Sequence, residues 1–316
     1  MRKSWRHRSK ARQKAFDVPS GGVVTDAAAI RSATLIGGVA VLAWSTLSLF
    51  TKLAGDIPPF QLVAMAFTIA FLVGMVWTAA SGRSPRSSLK QPAIAWALAI
   101  GGLFGSHFFF FSALRYAPPV EASLINYLWP LLIVVFSALL PGMRLHWYHV
   151  AGVGMGVAGA AFLIGVDSFT ASSEHLLGYG SAFMAALVWA VYSVLNRRIG
   201  HVPTDAVGWF CGVTAILGLV CHLALETSVW PVGIGWLGVV CLGLGPVGVA
   251  FFVWDYGVKH GDIRTLGAMA YGAPLLSTLL LILFGYGRLE FTVVVAFVLI
   301  VGGAALAGLE LWRRRR

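Results

Sequence analysis

Apolar residues in this chain come in blocks of about twenty, separated by short polar or charged turns. Ten blocks can be read: residues 33 to 53, 60 to 80, 93 to 115, 120 to 140, 148 to 166, 177 to 198, 206 to 225, 234 to 257, 263 to 286 and 291 to 312. About twenty helical residues cover the ~30 Å of hydrocarbon in a bilayer. An unpaired backbone amide is too costly there, so blocks this long must be helices. The pattern predicts an all-α integral membrane protein with ten transmembrane helices.

The blocks also repeat. At an offset of 145, Trp44 aligns with Trp189, Lys52 with Arg197 and Pro58 with Pro203. At an offset of 144, Gly101 aligns with Gly245, Phe108 with Phe252, Tyr127 with Tyr271, Pro130 with Pro274, Arg144 with Arg288 and Gly159 with Gly303. A run of matches in the same order at a nearly constant offset implies duplication. Five crossings per copy is an odd number, so the second copy enters the membrane upside down. Inverted repeats are typical of secondary transporters, whose halves rock about a site near the bilayer midplane. The expected organisation is a basic, disordered cytoplasmic tail over 1–30, a five-helix repeat over 31–166, a connecting loop over 167–176, a second repeat over 177–312 and a basic tail over 313–316.

Composition agrees: 58% of residues are hydrophobic, 11% are charged and the mean hydropathy is +0.82. A soluble domain carries roughly 25% charged residues. In a soluble protein a net charge of +11 would point to nucleic acid, but here its distribution indicates orientation instead. With both termini cytoplasmic, inside segments hold 20 Lys and Arg and outside segments hold Lys52, Arg115 and Arg288. That split follows the positive-inside rule. The basic tails are expected to contact anionic lipid, and no nucleic-acid partner is expected.

The first thirty residues hold no apolar stretch long enough for a signal peptide. Cys211, Cys221 and Cys241 lie inside predicted helices without metal-ligand spacing and read as small apolar residues. There is no phosphate loop, HExxH, GxSxG or TVGYG-like filter, and no carboxylates cluster in the apolar blocks. No cofactor or metal is expected. A carrier is favoured over a membrane-embedded lipid enzyme, which should show a convergent catalytic set, and over a channel.

In a carrier of this kind, polar or aromatic residues near mid-span are the candidates for meeting the substrate. Trp44 and Trp189 are mid-span repeat mates, and their indole N–H groups need partners in hydrocarbon. With Tyr192 one turn from Trp189, they would line a cavity for a small amphipathic or aromatic solute; the alternative is helix packing. His107, a little past halfway through the third block, is either a pathway residue or a neutral histidine bonded to a neighbouring helix. Asn126 and Tyr127 in the fourth block and Tyr271 in the ninth complete the set, with helix-to-helix hydrogen bonding as the other role for the Asn. Trp147, Trp230, Trp236 and Trp312 fall near predicted interfaces, where an aromatic belt explains them.

Motion is expected in the eighth block, where Pro246 removes a backbone hydrogen bond and Gly245 and Gly248 permit bending. Gly152, Gly156 and Ala160 form a small-residue seam that predicts close helix packing. Two i,i+4 pairs, Asp255 with Lys259 and Lys52 with Asp56, would neutralise themselves on one face if helix continues through them.

The segments "LAWSTLSLFTKLAGDIPPFQ" and "LVWAVYSVLNRRIGHVPTDA", together with Pro130, Pro274, "AGAAF" and "GGAAL", carry a family resemblance over about 35 to 312. The chain resembles the ten-helix EamA-type carriers of the drug/metabolite transporter superfamily, and among them the bacterial aromatic amino-acid exporters of the YddG type. One departure stands out. The family's Gly-Glu-Arg-like turn reads Gly142, Met143, Arg144 in the first copy and Tyr286, Gly287, Arg288 in the second, so the Glu is missing. The resemblance implies export of small or aromatic amino acids across the bacterial inner membrane by alternating access. A drug or other metabolite exporter of the same superfamily is the alternative. Proton coupling through His107 and facilitated export both remain open.

Overall fold

In the computed structural model the described residues are 22–164, 173–285 and 291–307. The expected tails outside this range, most of the 167–176 loop, the Tyr286 to Arg288 turn and Trp312 lie beyond the described residues. Every regular element among the described residues is helical. In chain order they are α1 (Gly22–Ser45), α2 (Leu47–Ala54), α3 (Pro59–Ala80), α4 (Ala93–Ile100), α5 (Ser106–Tyr116), α6 (Pro119–Asn126), α7 (Trp129–Ser137) and α8 (Trp147–Ile164). They continue as α9 (Leu176–Asn196), α10 (Ala206–Leu225), α11 (Gly235–Leu244), α12 (Ala250–His260), α13 (Ile263–Ala270), α14 (Gly272–Leu283) and α15 (Phe291–Ala307). The first helix begins at Gly22, inside the stretch expected as tail.

Seven helical stretches among these residues are long and apolar enough to cross a membrane: Ala27–Ala54, Pro59–Ala80, Ala93–Tyr116, Leu176–Ile199, Ala206–Leu225, Gly235–His260 and Ile263–Leu283. Several are interrupted, and the sequence explains where. Pro130 and Pro274 lack the N–H that would bond to the carbonyl four residues back, and their rings clash with it. Those carbonyls belong to Asn126 and Ala270, where α6 and α13 end. The step from α1 to α2 falls where Ser45 and Thr46 turn their hydroxyls back onto the carbonyls of Leu42 (2.6 Å) and Ala43 (2.7 Å), bonds that bend helices. Glycine-rich Gly101–Gly105 and Gly245–Val249 widen to π-type turns between α4 and α5 and between α11 and α12.

Glycines set the closest crossings. A methyl group on Gly37 of α1 would lie 2.8 Å from the Cα of Gly257 of α12, and one on Gly74 of α3 would lie 2.9 Å from the Cα of Gly208 of α10. In the expected seam, a methyl on Gly152 of α8 would meet the Gly303 carbonyl of α15 at 2.4 Å. Without Cβ atoms the helices approach closely enough for backbone packing, which replaces the missing hydrophobic drive between helices in lipid. The three cysteines are free and at least partly buried.

The charged pairs diverge from expectation. Asp255 and Lys259 share a face of α12 and are bonded. Lys52 and Asp56 do not share a helix, because α2 ends at Ala54 and Gly55 leaves the helical path at φ 87°.

Candidate functional site

Where α1, α7, α9 and α12 meet, four tryptophans converge. The Trp44 ring lies 5.9 Å from both Trp129 and Trp189, edge to face, and 5.0 Å from Trp254. Edge-to-face contact places the positive rim of one indole on the negative face of the next. Trp129, Trp189 and Trp254 are buried and Trp44 is half-buried. The cluster's indole N–H groups find internal acceptors in two cases: Trp44 donates to the Pro246 carbonyl (3.0 Å) and Trp254 to Ser193 Oγ (3.1 Å). Trp44 is thus fixed to the wide turn of the expected bend. In that turn the Ala250 N–H bonds to the Gly245 carbonyl, five residues back rather than four.

The cluster extends through Phe251, 5.7 Å from Trp189, to Phe67, stacked at 5.5 Å. His107 stands edge-on to Phe67 at 5.3 Å. Its Nδ1 is 2.6 Å from the Leu103 carbonyl, one turn back on its own span. A carbonyl only accepts, so Nδ1 carries the proton there and Nε2 of the neutral ring remains an acceptor. The expected bond to a neighbouring helix is therefore not what holds this histidine. Tyr192 packs 5.3 Å from Trp189 and is buried.

Asn126 and Tyr127 are half-buried at the break between α6 and α7. Tyr271 occupies the corresponding break between α13 and α14 but faces elsewhere. It is fully buried in a second apolar cluster with α8 and α15, where a methyl on Gly156 would lie 2.4 Å from its ring. Tyr271 is set apart from the tryptophan cluster because Gly156 leaves a hollow that its ring fills. Of the tryptophans assigned to membrane interfaces, Trp147 and Trp230 are 73% and 67% exposed.

Sequence reasoning missed Trp129 and Trp254, and it treated Asp255–Lys259 as a surface pair. Asp255 is 1% exposed. Its carboxylate accepts from Asn196 Nδ2 (2.7 Å), Thr204 Oγ1 (2.6 Å) and Lys259 Nζ (2.8 Å). Lys259 also donates to the Val202 carbonyl at 2.9 Å. A buried charge pair is tolerable only with its remaining hydrogen bonds filled, which Asn196, Thr204 and Val202 do here. One turn away, Arg197 Nη1 donates to the carbonyls of Val258 (3.0 Å) and Gly261 (2.5 Å). Together these tie the end of α9 to the end of α12, directly beneath Trp254.

At the same end of the bundle, Asp262 caps α13 by accepting from Arg264 N (3.0 Å) and pairs with the Arg264 side chain (2.8 Å). Burial pushes this carboxyl upward, but the Arg264 hydrogen bond and charge, with the backbone N–H groups of Thr265 and Arg264, prevail and hold it below the ordinary aspartate value. The Asp262 N–H donates to Thr34 Oγ1 of α1 (2.8 Å), and Arg264 Nη1 donates to the Arg144 carbonyl (2.9 Å). At the opposite end Glu226 accepts from the first N–H groups of α3, at Phe60 (3.0 Å) and Gln61 (3.1 Å), and from His222 Nδ1 (2.9 Å). A carboxylate at a helix N-terminus satisfies orphan donors and the helix dipole together.

Interrupted apolar helices around a buried aromatic centre, with charged networks at both ends, describe a multi-pass helical membrane protein. The chain belongs to the EamA-like transporter family, whose model matches residues 31–165 and again residues 176–309. It is 53% identical over 280 residues to a protein of Ancylobacter novellus named aromatic amino acid exporter YddG, covering 88% of this chain and 97% of that one. A protein of the same name from Salmonella typhimurium is 25% identical over 304 residues, covering 90% and 99%. A solved crystal structure, 52% identical, superposes with a TM-score of 0.86 over 90% of this chain and 99% of that chain. The chain is thus a transporter of this family, and the relatives it matches at this level are named exporters rather than enzymes.

Proposed function

We propose that this protein exports aromatic or small amino acids across the bacterial inner membrane as a secondary carrier. The observation that carries the reading is the tryptophan cluster of Trp44, Trp129, Trp189 and Trp254, in a chain 53% identical to a named aromatic amino-acid exporter. Trp44, the half-buried member of the cluster, offers ring surface that suits an aromatic side chain, and an acceptor at His107 Nε2 suits a substrate ammonium or indole N–H. Asn126 and Tyr127 add polar groups at a helix break, where backbone groups freed from the helix ladder can meet a zwitterion. Tyr271 acts behind the site, holding the second break against α8.

In this reading ten spans form two inverted five-helix repeats over 31–166 and 177–312, joined by 167–176, with the tails 1–30 and 313–316 in the cytoplasm. Three observations support it. The family model matches twice. The proline-broken helices end at Asn126 and Ala270, 144 residues apart, and the wide turns begin at Gly101 and Gly245, also 144 apart. The 20 to 3 charge split follows the positive-inside rule for ten spans. The turn at Gly245, Pro246 and Gly248 is the hinge, and its bond to Trp44 links bending to the site wall. The Asp255–Lys259 network ties α9 to α12 within the second repeat, whereas the bonds from Asp262 to Thr34 and from Arg264 to Arg144 cross between the repeats, so a rocking of the halves would act on those.

The test is counterflow in proteoliposomes loaded with one unlabelled amino acid and supplied with labelled phenylalanine, tryptophan, tyrosine, threonine or alanine. Exchange of at least one aromatic amino acid is expected. Exchange confined to non-amino-acid metabolites, with none for any amino acid, overturns the substrate assignment.

A further inference from the structure

Away from the tryptophan cluster, a long apolar groove of about 680 Å³ opens on the side of the bundle between α3, α4, α10 and α11. It falls within the ~300–1,000 Å³ of sites that hold ligands of drug size. Small residues make it. Gly212 and Ala215 of α10 and Ala64 of α3 form its floor, while Trp96, Trp209 and Trp236 stand as its walls. A methyl on Gly212 would already meet the Phe71 ring at 2.9 Å, so the trench is shaped by an absent side chain. Two of its polar groups are spent internally: the Thr68 hydroxyl donates to the Ala64 carbonyl at 2.7 Å and the Trp209 indole to the Pro85 carbonyl at 2.9 Å.

The charge at one mouth is specific. Leu89 lines that end of the groove and belongs to the short turn Pro85–Leu89, which exposes Arg86 and is followed by exposed Lys90. Arg83 lies beside them and is engaged by Asp205 at 2.8 Å, leaving the other two cations facing solvent. The groove follows α10 from Trp209 to Leu219, ~15 Å at 1.5 Å per residue, and continues to Trp236 at the start of α11, at the opposite end of the bundle from Leu89. An apolar trench with two cations at one mouth matches an acyl chain beneath a phosphate.

We propose that this groove is a binding site for a single anionic phospholipid, its acyl chain along Gly212 and Ala215 and its phosphate between Arg86 and Lys90. A second copy of the chain fits poorly. The membrane fixes both copies in the same orientation, so a two-fold contact through this face would bring the two basic mouths together.

The test uses the full chain purified in neutral detergent, with lipid binding read by native mass spectrometry against phosphatidylglycerol and phosphatidylcholine of the same acyl composition. Wild type is expected to hold one phosphatidylglycerol in preference to phosphatidylcholine. Arg86→Gln with Lys90→Gln, both exposed, should reduce phosphatidylglycerol affinity about 30-fold, the ~2 kcal/mol of two basic groups near anionic lipid, and leave phosphatidylcholine unchanged. Val213→Trp, which fills the trench, should displace both lipids. Equal binding of the two lipids by wild type, or a groove filler that leaves phosphatidylglycerol bound, overturns the proposal. So does a dimer that Val213→Trp dissolves, since the groove is then an interface. Tryptophan binding by the Arg86→Gln, Lys90→Gln protein, followed by intrinsic fluorescence, is expected to match wild type and separates this result from the fate of the substrate site.

Discussion

The indole of Trp44 is held twice, by its N–H on the Pro246 carbonyl and by ring contacts with three other tryptophans, edge to face with Trp129 and Trp189 and tilted on Trp254. Each aromatic contact is worth ~0.5–1.5 kcal/mol beyond its buried area, so losing the ring should be felt wherever a substrate ring takes its place in the stack. Trp44→Ala and Trp189→Ala are expected to lower aromatic amino-acid counterflow about tenfold or more, while Trp230→Ala, at an exposed position, stays within about twofold. Equal losses at all three positions, in proteoliposomes matched for protein, would assign Trp44 and Trp189 to helix packing alone. Asp255 calls for a different comparison, because its partner is equally buried. Lys259→Met alone leaves an uncompensated carboxylate and should destabilise by ~3–5 kcal/mol, whereas Lys259→Met with Asp255→Leu should recover much of that loss. Thermal melting of the purified variants checks this, and a double variant no better than the single one sinks the pairing account.

Helices in this chain are shaped by what interrupts them. Pro130 and Pro274 stop α6 and α13 four residues upstream, and the start of α13 depends on the Asp262 cap. That carboxyl is held below the ordinary value of about 3.9, so its charged form contributes stability above that pH and the contribution fades as pH falls through the lower folded value. Asp262→Asn keeps a capping oxygen and removes the charge. It should melt earlier than wild type near neutral pH, and the gap should close in acid below about pH 4. A gap that persists unchanged into acid would mean that the ion pair with Arg264 adds nothing to the cap. The π-type turn at Gly245 belongs to the same description: it bends the span by a register change, at a place where Pro246 offers no N–H.

Taken as one body, the molecule has an orientation and a cycle to test. Reporters fused after Arg316 and before Met1 are both expected in the cytoplasm, from the 20 to 3 charge split and the proposed ten spans. Termini on opposite sides would require an odd number of spans and break the two-times-five architecture. For energy coupling the expectation is facilitated export. His107 is a lone histidine whose Nδ1 is spent on its own helix, and among the described residues its hydrogen-bond and ring partners are Leu103, Phe67, Phe111 and Phe251, none of them a carboxylate to relay a proton. Amino-acid flux driven by an imposed pH gradient at zero membrane potential should equal flux without it. Accumulation in wild type would show proton coupling, and its survival in His107→Gln would exclude this histidine as the coupling group.

Hydrophobic block length, charge asymmetry and internal repetition are properties of the chain read in order, so membrane insertion, helical class and carrier type were open to sequence reasoning. The proline positions also carried the sites of helix breakage. Convergence is another matter. A helical period tells which residues share a face but not which helix that face meets, and Trp129 and Trp254 join Trp44 and Trp189 only because α7 and α12 cross α9 and α1 there. For the same reason Tyr271, equivalent to Tyr127 along the chain, turns to Gly156 instead of the centre. Burial decided the chemistry of Asp255 and Lys259, too. Spaced four apart near a span end they read as a solvated pair, and only packing of the 196–206 connection over them made the pair an internal tie with every donor placed. Long-range packing sets the dielectric and the neighbours of each side chain, and neither is written in local sequence.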